Sequence, residues 1–473
     1  MGWRRLVAGL VAASLGACST LSSIGSDFLG GAPAEGTPGH VSGFLGGVVA
    51  DEPRAALVAR EVLSEGGNAA DAAVALGFAL AVTLPSRAGL GGGGACIAYQ
   101  PSTKSANGGV PEAVLFTPQA PAQSQQGADR PAAIPVMARG LFALHARYGR
   151  RPFETLISPA EQMARFGVPA SRALVRDLQI VSGPLFADPN ARAVFSRGDG
   201  PLAENDRLLQ PELGATLAQI RVSGVGDFYQ GNLARRVTDA APAVGASLTV
   251  ADLRSALPRL APPITIASGR DRVSFLPPPA DGGLAAAAAL SVLNDNPEAV
   301  AEANARAVAV AARWRAGDGD PQALLGESLP PASLPPLPAS TTFVTLDREG
   351  GAVACAVTMD NLFGTGRLLP GLGFLLAASP AAAPPPLLAA AIAWNEHLHA
   401  FRAAVGGAGQ EGAASAAAVA MINALRSNQP MPVPVPEPGR ANVIACSRYL
   451  PDSEGSCAWA TDPRGFGLAI GSS

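Results

Sequence analysis

The sequence is short of charge: only 15% of its 473 residues are Asp, Glu, Lys or Arg, and the formal net charge is −3. It holds one lysine, Lys104, so nearly all positive charge is arginine, and no basic block occurs. Neutralising a phosphate backbone needs clustered cations, so nucleic acid is excluded as the main partner. Cysteine is scarce too, with five residues and no Cys-x-x-Cys pair, and the four histidines do not stand at zinc-ligand spacing from them. No metal and no cofactor are therefore expected. Beyond the first twenty residues every apolar run of bilayer-spanning length is broken by Gly, Pro or a charge, which excludes a polytopic membrane protein. What is present is apolar material, 48% of the chain with a mean hydropathy of +0.23, enough for a large core and incompatible with global disorder.

The first residues read as an address. Trp3-Arg4-Arg5 is a positive start, and Leu6 to Ala17 is a short apolar run ending in small residues, the form of a secretory signal peptide over 1–17. The run closes Leu15-Gly16-Ala17-Cys18, which resembles a bacterial lipobox with Cys18 as the acylated residue. The expected location is the periplasm, with an N-terminal lipid anchor in the outer membrane because Ser19, not Asp, follows the cysteine. Residues 18–40 are a Gly/Ser/Pro/Ala tether. Cys446 and Cys457 flank the turn sequence Pro451-Asp452-Ser453-Glu454-Gly455 between alternating apolar residues, which predicts a hairpin and a disulfide between them. Cys96 and Cys355 lie in apolar stretches and read as buried free thiols.

Periodicity predicts helices over Glu52–Ser64, Asn68–Val82, Ala138–Tyr148, Pro152–Phe166, Pro211–Val222, Asn232–Ala240, Ala301–Arg315 and Ala413–Arg426. Strands are expected at Ala95–Tyr99, Ala113–Phe116, Thr342–Leu346 and Ala352–Thr358. Gly317–Ala339 is Pro-rich and reads as an exposed connector. His397-Leu398-His399 reads as two imidazoles on one side of a strand, exposed rather than ligating.

Several segments, in order, resemble the gamma-glutamyltranspeptidase (glutathione hydrolase) family of N-terminal-nucleophile hydrolases. They are Glu65-Gly66-Gly67-Asn68-Ala69-Ala70-Asp71, Gly89-Leu90-Gly91-Gly92-Gly93-Gly94, His145-Ala146-Arg147-Tyr148-Gly149 and Asp227-Phe228-Tyr229-Gln230-Gly231. Further along come Pro277-Pro278-Pro279-Ala280-Asp281-Gly282-Gly283, Phe363-Gly364-Thr365-Gly366 and Thr461-Asp462-Pro463-Arg464. The glycine run alone suggests a phosphate loop, but no Gly-Lys-Ser/Thr follows it. The resemblance implies an α+β fold, a four-layer αββα sandwich, built from a large-subunit-like segment 41–339 and a small-subunit-like segment 340–473. It also implies that the chain cuts itself and that the two segments stay together as an intramolecular heterodimer.

The family's nucleophile opens the second segment, where its hydroxyl and a free α-amino group share one residue. Aligned on Asp347, that position is Ser340, and a one-residue slip makes it Thr341. The resemblance gives Thr358 the role of assisting self-cleavage and puts Asp360 where the family has a substrate-binding asparagine. It assigns Gly409 and Gln410 to the oxyanion loop, where the amides serve if φ at Gln410 stays negative. The glutamyl-gripping residues depart from the family. Thr117 stands at the position of the carboxylate-binding arginine, the aspartate segment reads Ala377-Ala378-Ser379-Pro380-Ala381-Ala382-Ala383, and Leu388-Ala389 replaces a Ser-Ser pair. Arg87 is a candidate replacement cation; the alternative is a plain surface arginine. The implied partner is a small amide or peptide substrate. Three functions follow: an amide hydrolase or acyltransferase acting on gamma-glutamyl or related bonds, an acylase for a non-glutamyl substrate, or a catalytically dead lipoprotein serving as a binding or scaffold module.

Overall fold

The computed structural model describes residues 41–471, except 103, 104, 106, 123–127, 318, 428, 429 and 431–434. The signal segment, Cys18 and the tether lie outside the described residues. Among those described, no helix is long and apolar enough to cross a membrane.

Two antiparallel sheets form the centre. The first contains β1 (Gly46–Ala50), β2 (Gly93–Tyr99), β3 (Glu112–Phe116) and β4 (Arg259–Ala261). The second begins with β5 (Ile264–Ser268) and β6 (Asp271–Phe275). The chain then returns to the first sheet with β7 (Ser340–Asp347) and β8 (Ala352–Thr358), and to the second with β9 (Ala389–Asn395), β10 (Ala400–Ala408), β11 (Arg440–Leu450) and β12 (Cys457–Thr461). β13 (Leu468–Gly471) closes the first sheet, whose order is β13-β1-β7-β8-β2-β3-β4; the second runs β12-β11-β10-β9-β6-β5.

Three apolar cores make four layers from these two sheets. One face of the first sheet (Val48, Cys96, Phe343, Cys355) packs on α1 (Pro53–Ser64), α2 (Ala69–Thr83), α3 (Met137–Tyr148) and their neighbours. Its other face (Ile97, Val344, Leu346, Ala354) meets the inner face of the second sheet at Ala390, Ile392, Ala404 and Ile444. The outer face of the second sheet packs on Asp281–Asp295, Val300–Arg315 and Ala413–Ser427. The fold is the αββα sandwich. Sheets covered on both faces carry apolar residues at nearly every position, and the frequent alanines between them admit close approach. The same logic makes α2 hydrophobic all round, with every residue from Ala69 to Thr83 buried.

The sequence motifs turn out to be packing and capping devices. Asn68 caps α2 in a reciprocal box with Asp71, and its Nδ2 donates to the Tyr148 carbonyl at 2.7 Å. Asp71 accepts from the backbone N–H groups of Arg150 and Arg151. The glycine run lets backbone meet backbone: a Cβ on Gly91 would strike the Leu375 carbonyl, and one on Gly94 the Ala356 carbonyl.

Three expectations about the fold need correction. Cys96 and Cys355 are not free thiols but a disulfide, because β2 and β8 pair antiparallel with the two cysteines directly opposite, Cα atoms 4.1 Å apart. Sequence spacing hides this, since the two lie 259 residues apart. The connector is not exposed throughout: it contains a short helix, Pro321–Leu324, and Leu324 and Leu337 are buried in the outer core. His397 and His399 sit in the turn between β9 and β10, not in a strand, and His399 has φ +49°. Among the described residues no cluster suited to a metal exists. The helix Asp281–Asp295 and most of the second sheet are not legible in the sequence, because elements buried on nearly all sides carry no periodicity; the half-exposed helix Arg172–Leu185 is also absent from the sequence reading, although its apolar face is one-sided. Cys446 and Cys457 are bonded, opposite each other on β11 and β12.

Cys96 lies before Ser340 and Cys355 after it, so a break in the connector leaves the two fragments covalently joined. Limited proteolysis within residues 317–339 is expected to give one band without reductant and two with it. Two bands in the absence of reductant would show that Cys96 and Cys355 are unpaired.

Candidate active site

β7 begins at Ser340, which is 1% exposed and stands directly opposite Thr358 on β8. Residues opposed in an antiparallel pair share a face of the sheet, so both side chains point the same way. The Thr358 hydroxyl donates to the Ala339 carbonyl at 2.9 Å and accepts from the Asp360 N–H at 2.9 Å. The carbonyl just before Ser340 is thereby held and polarised by a side chain whose own orientation is fixed from behind.

Thr341 points to the other face, where its hydroxyl donates to Asp51 Oδ2 at 2.8 Å. The same oxygen accepts the Thr342 N–H at 3.0 Å, and Oδ1 accepts from Asn442 Nδ2 at 2.8 Å. Thr461 donates to Asn442 Oδ1 at 2.7 Å, completing a polar bridge between the two sheets. Arg87 is not a surface arginine. Its Nε and Nη2 grip the buried Asp177 carboxylate at 2.8 and 2.7 Å, and its Nη1 donates to the Ser340 carbonyl at 3.2 Å. Ser86 donates to Asp177 as well, at 2.7 Å. Three of its five N–H groups are thus engaged within the protein, and the side chain also lines a cavity beside Ala339.

A cavity of about 330 Å³ opens beside Ala339, lined among others by Asp51, Arg87, Arg176, Gly409 and Gln410. Gly409 (φ +106°) must be glycine, since a Cβ there would meet the Pro438 carbonyl. Gln410 corrects an expectation: its φ is +52°, the left-handed region, not negative. Its side chain secures that conformation by donating to the Leu337 carbonyl at 3.1 Å. Arg176 lies over the Phe466 ring at 5.9 Å across the cavity mouth.

Thr117, just past β3, does not line this cavity. Asp360 does not line it either; the residue is 2% exposed, has φ +53°, and neither carboxylate oxygen has a hydrogen-bond partner. Burial pushes its pKa up to about 7. The structure therefore gathers Ser340, Thr341, Thr358, Arg87, Gly409 and Gln410 at one end of the sandwich and leaves Thr117 apart. Sequence reasoning misses Asp51, Asp177 and Asn442. Asp51 reads only as the residue before a helix start, and the sequence reading places no element at Asp177.

The sequence model of the gamma-glutamyltranspeptidase family matches residues 55–324. The glutathione hydrolase proenzyme of Escherichia coli (strain K12) is 28% identical over 388 residues, 70% of this chain and 65% of that protein. The glutathione hydrolase proenzyme of Bacillus subtilis (strain 168) is 30% identical over 261 residues, 53% of this chain and 44% of its own length. The match thus spans less than two thirds of either curated relative. Among solved structures, a cephalosporin acylase from Bacillus halodurans superposes with a TM-score of 0.74 at 19% identity, covering 93% of this chain and 98% of that one. The gamma-glutamyltranspeptidase of Helicobacter pylori gives 0.53 at 25% identity, covering 64% of this chain and 95% of that one.

Asp360 makes a pH-dependent contribution whose sign follows from its raised pKa. Its burial favours the protonated form, so the contribution is full below the ordinary value of 3.8 and is lost as pH rises through about 7. Asp360→Asn abolishes that dependence. The stability of the variant relative to the parent should therefore improve by up to about 4 kcal/mol between pH 4 and pH 8, because each tenfold change in proton affinity is worth about 1.36 kcal/mol. Denaturant unfolding at both pH values measures this, and an equal difference at the two would disprove it.

Proposed function

Because the chain belongs to the gamma-glutamyltranspeptidase family, we propose that it is a divergent self-processing amide hydrolase or acyltransferase with Ser340 as nucleophile. The observation that supports this most is the Thr358 hydroxyl on the Ala339 carbonyl, directly beside Ser340. In self-cleavage the Ser340 hydroxyl attacks that carbonyl carbon and the Thr358 hydroxyl stabilises the oxygen as it gains charge. Collapse breaks the Ala339–Ser340 C–N bond and leaves an ester, with the nitrogen taking a proton to become a free amine. Water then hydrolyses the ester and releases Ala339 as a carboxylate. Ala339 lines the cavity while Ser340 is almost wholly covered, so its departure opens the hydroxyl to the cavity.

The matured residue then carries its own base. An α-amino group titrates at roughly 7.7–8.0, so a useful fraction is neutral and can take the hydroxyl proton at no entropic cost of approach. Attack on a substrate amide gives an acyl-enzyme, and water or an amine accepts the acyl group. Gly409 lines the same cavity and is assigned the oxyanion, while Gln410 lines it with φ +52° and so fails the condition set for its amide. The substrate is not an ordinary gamma-glutamyl compound, since Thr117, Ala381 and Leu388-Ala389 provide neither cation nor anion for its zwitterion. That loss also favours a second reading, a non-catalytic protein that keeps the fold for binding. The acylase alternative draws on the cephalosporin acylase only for the fold. We further propose anchoring in the outer membrane through acylated Cys18; Cys18→Ser should then shift the protein out of the membrane fraction.

Wild type is expected to yield a small fragment beginning at Ser340. Ser340→Ala should abolish both cleavage and turnover, Thr358→Ala should slow cleavage, and Thr341→Ala should do less. A gamma-glutamyl anilide should be hydrolysed at least about a hundredfold more slowly than by a family member with both charges, since two charge-assisted contacts of about 1.5–3 kcal/mol are missing. N-terminal sequencing decides: a fragment starting at Thr341 reassigns the nucleophile, and an uncut, folded chain moves the conclusion to the non-catalytic reading.

A further inference from the structure

The strand carrying the nucleophile is incompletely paired where it matters. β8 runs alongside β7 from Ser340 to Leu346, but β1 pairs with it only from Phe343 to Asp347. Among the described residues no strand pairs with the other edge of β7 at 340–342. In an antiparallel pair the backbone groups of alternate residues face opposite neighbours. The Asp347 N–H turns toward β8, where it meets the Gly351 carbonyl. Odd-numbered residues of β7 therefore face β8, and Ser340 and Thr342 face the bare edge. Unpaired backbone groups buried there would be costly, and Ser340 and Thr342 are each 1% exposed.

Side chains take the place of the missing strand. The Thr342 N–H goes to Asp51, the Thr342 carbonyl accepts from Asn442 Nδ2 at 3.0 Å, and the Ser340 carbonyl accepts from Arg87. We infer that Arg87, held by Asp177, is a positioning residue that substitutes for a strand partner and fixes the backbone of Ser340. The role follows from what self-cleavage removes. Once the Ala339–Ser340 bond is cut, Ser340 is a chain terminus, and Thr358 no longer holds it through the preceding carbonyl. Arg87 is then the contact that keeps the first residue of β7 from fraying, and with it the hydroxyl and the amine of Ser340. Asp177 grips two guanidinium nitrogens and leaves the third aimed at Ser340; its burial, and the bond from Ser86, prevent the pair from swinging into the cavity. Arg87 contacts no reacting atom, so its effect is on geometry.

The inference rests on Ser340 being the nucleophile, and its test separates the two. Arg87→Gln and Arg87→Lys are compared with wild type in self-cleavage, in steady-state hydrolysis of p-nitrophenyl acetate, and in hydrogen exchange of peptides covering residues 340–347. Arg87→Gln should lower the self-cleavage rate and kcat by about 10–100-fold, as expected for a displaced nucleophile, with KM changed less than about threefold. Arg87→Lys should recover part of the loss, because a lysine still presents a donor to the Ser340 carbonyl. Exchange should quicken at 340–342 and stay unaltered in the rest of β7 and in β8. An unchanged kcat, a loss confined to KM, or exchange that rises throughout the first sheet would overturn the inference. If wild type neither cuts nor turns over ester, the catalytic reading fails; the exchange comparison still decides whether Arg87 secures the edge, unchanged exchange at 340–342 refuting it.

Discussion

The site depends on the register between β7 and β8, and one aspartate sets it. Asp347 Oδ1 accepts from the N–H groups of Glu349 and Gly351, closing the turn that joins the two strands, while Oδ2 accepts the first N–H of α2 at Ala69. The turn puts Ser340 opposite Thr358 at the far end of the hairpin, and the third bond ties the hairpin to the buried helix beneath it. A slip of one residue would turn Ser340 to the helix-facing side and present Thr341 to the sheet interface, since side chains alternate along a strand. Burial drives the Asp347 pKa up to about 6 despite these bonds, so this carboxyl favours the fold most when protonated and its contribution falls as pH rises through about 6.

Around that register the site is built from groups that come from far apart in the chain. Asp51 follows β1, Arg87 follows α2, Asp177 belongs to the helix Arg172–Leu185, and Asn442 lies in the second sheet. Asp51, Arg87 and Asn442 each satisfy a backbone or side-chain group at the start of β7 that no strand reaches, and Asp177 holds Arg87 in place. The Cys96–Cys355 disulfide secures the same region three residues before Thr358, across the β2–β8 pair and across the proposed cut. The chain thus frames the start of β7, where the proposed nucleophile stands, with buried polar contacts and a disulfide. Asp360, two residues past Thr358, is a buried carboxyl without a hydrogen-bond partner.

Much of this is legible without coordinates. The helix starts at Asn68 and Pro211, the strand pair around Asp347, and the order of the glycine-rich segments all follow from local capping, turn chemistry and spacing. So does the candidate nucleophile, found by counting back from Asp347. The second sheet and the helix Asp281–Asp295 on it are mostly invisible, because alanine-rich elements buried on both faces have neither a period of 2 nor one of 3.6 to betray them, whereas the other two covering helices are read as Ala301–Arg315 and Ala413–Arg426. Gln410 escapes for a related reason: nothing in a residue's identity announces a left-handed backbone when a tertiary hydrogen bond, here to the Leu337 carbonyl, holds it there.

By itself the sequence determined the family and the sandwich, and it placed a strand at the candidate nucleophile, since these rest on local signals repeated in order along the chain. Only the tertiary structure decided that Cys96 pairs with Cys355, that Arg87 is spent on Asp177 and Ser340, and that Asp51 and Asn442 join the two sheets. Each of those contacts joins residues about ninety or more positions apart. A pairing of that kind is fixed by which strand edges and faces meet, a property of the assembled sheets that no window of sequence contains.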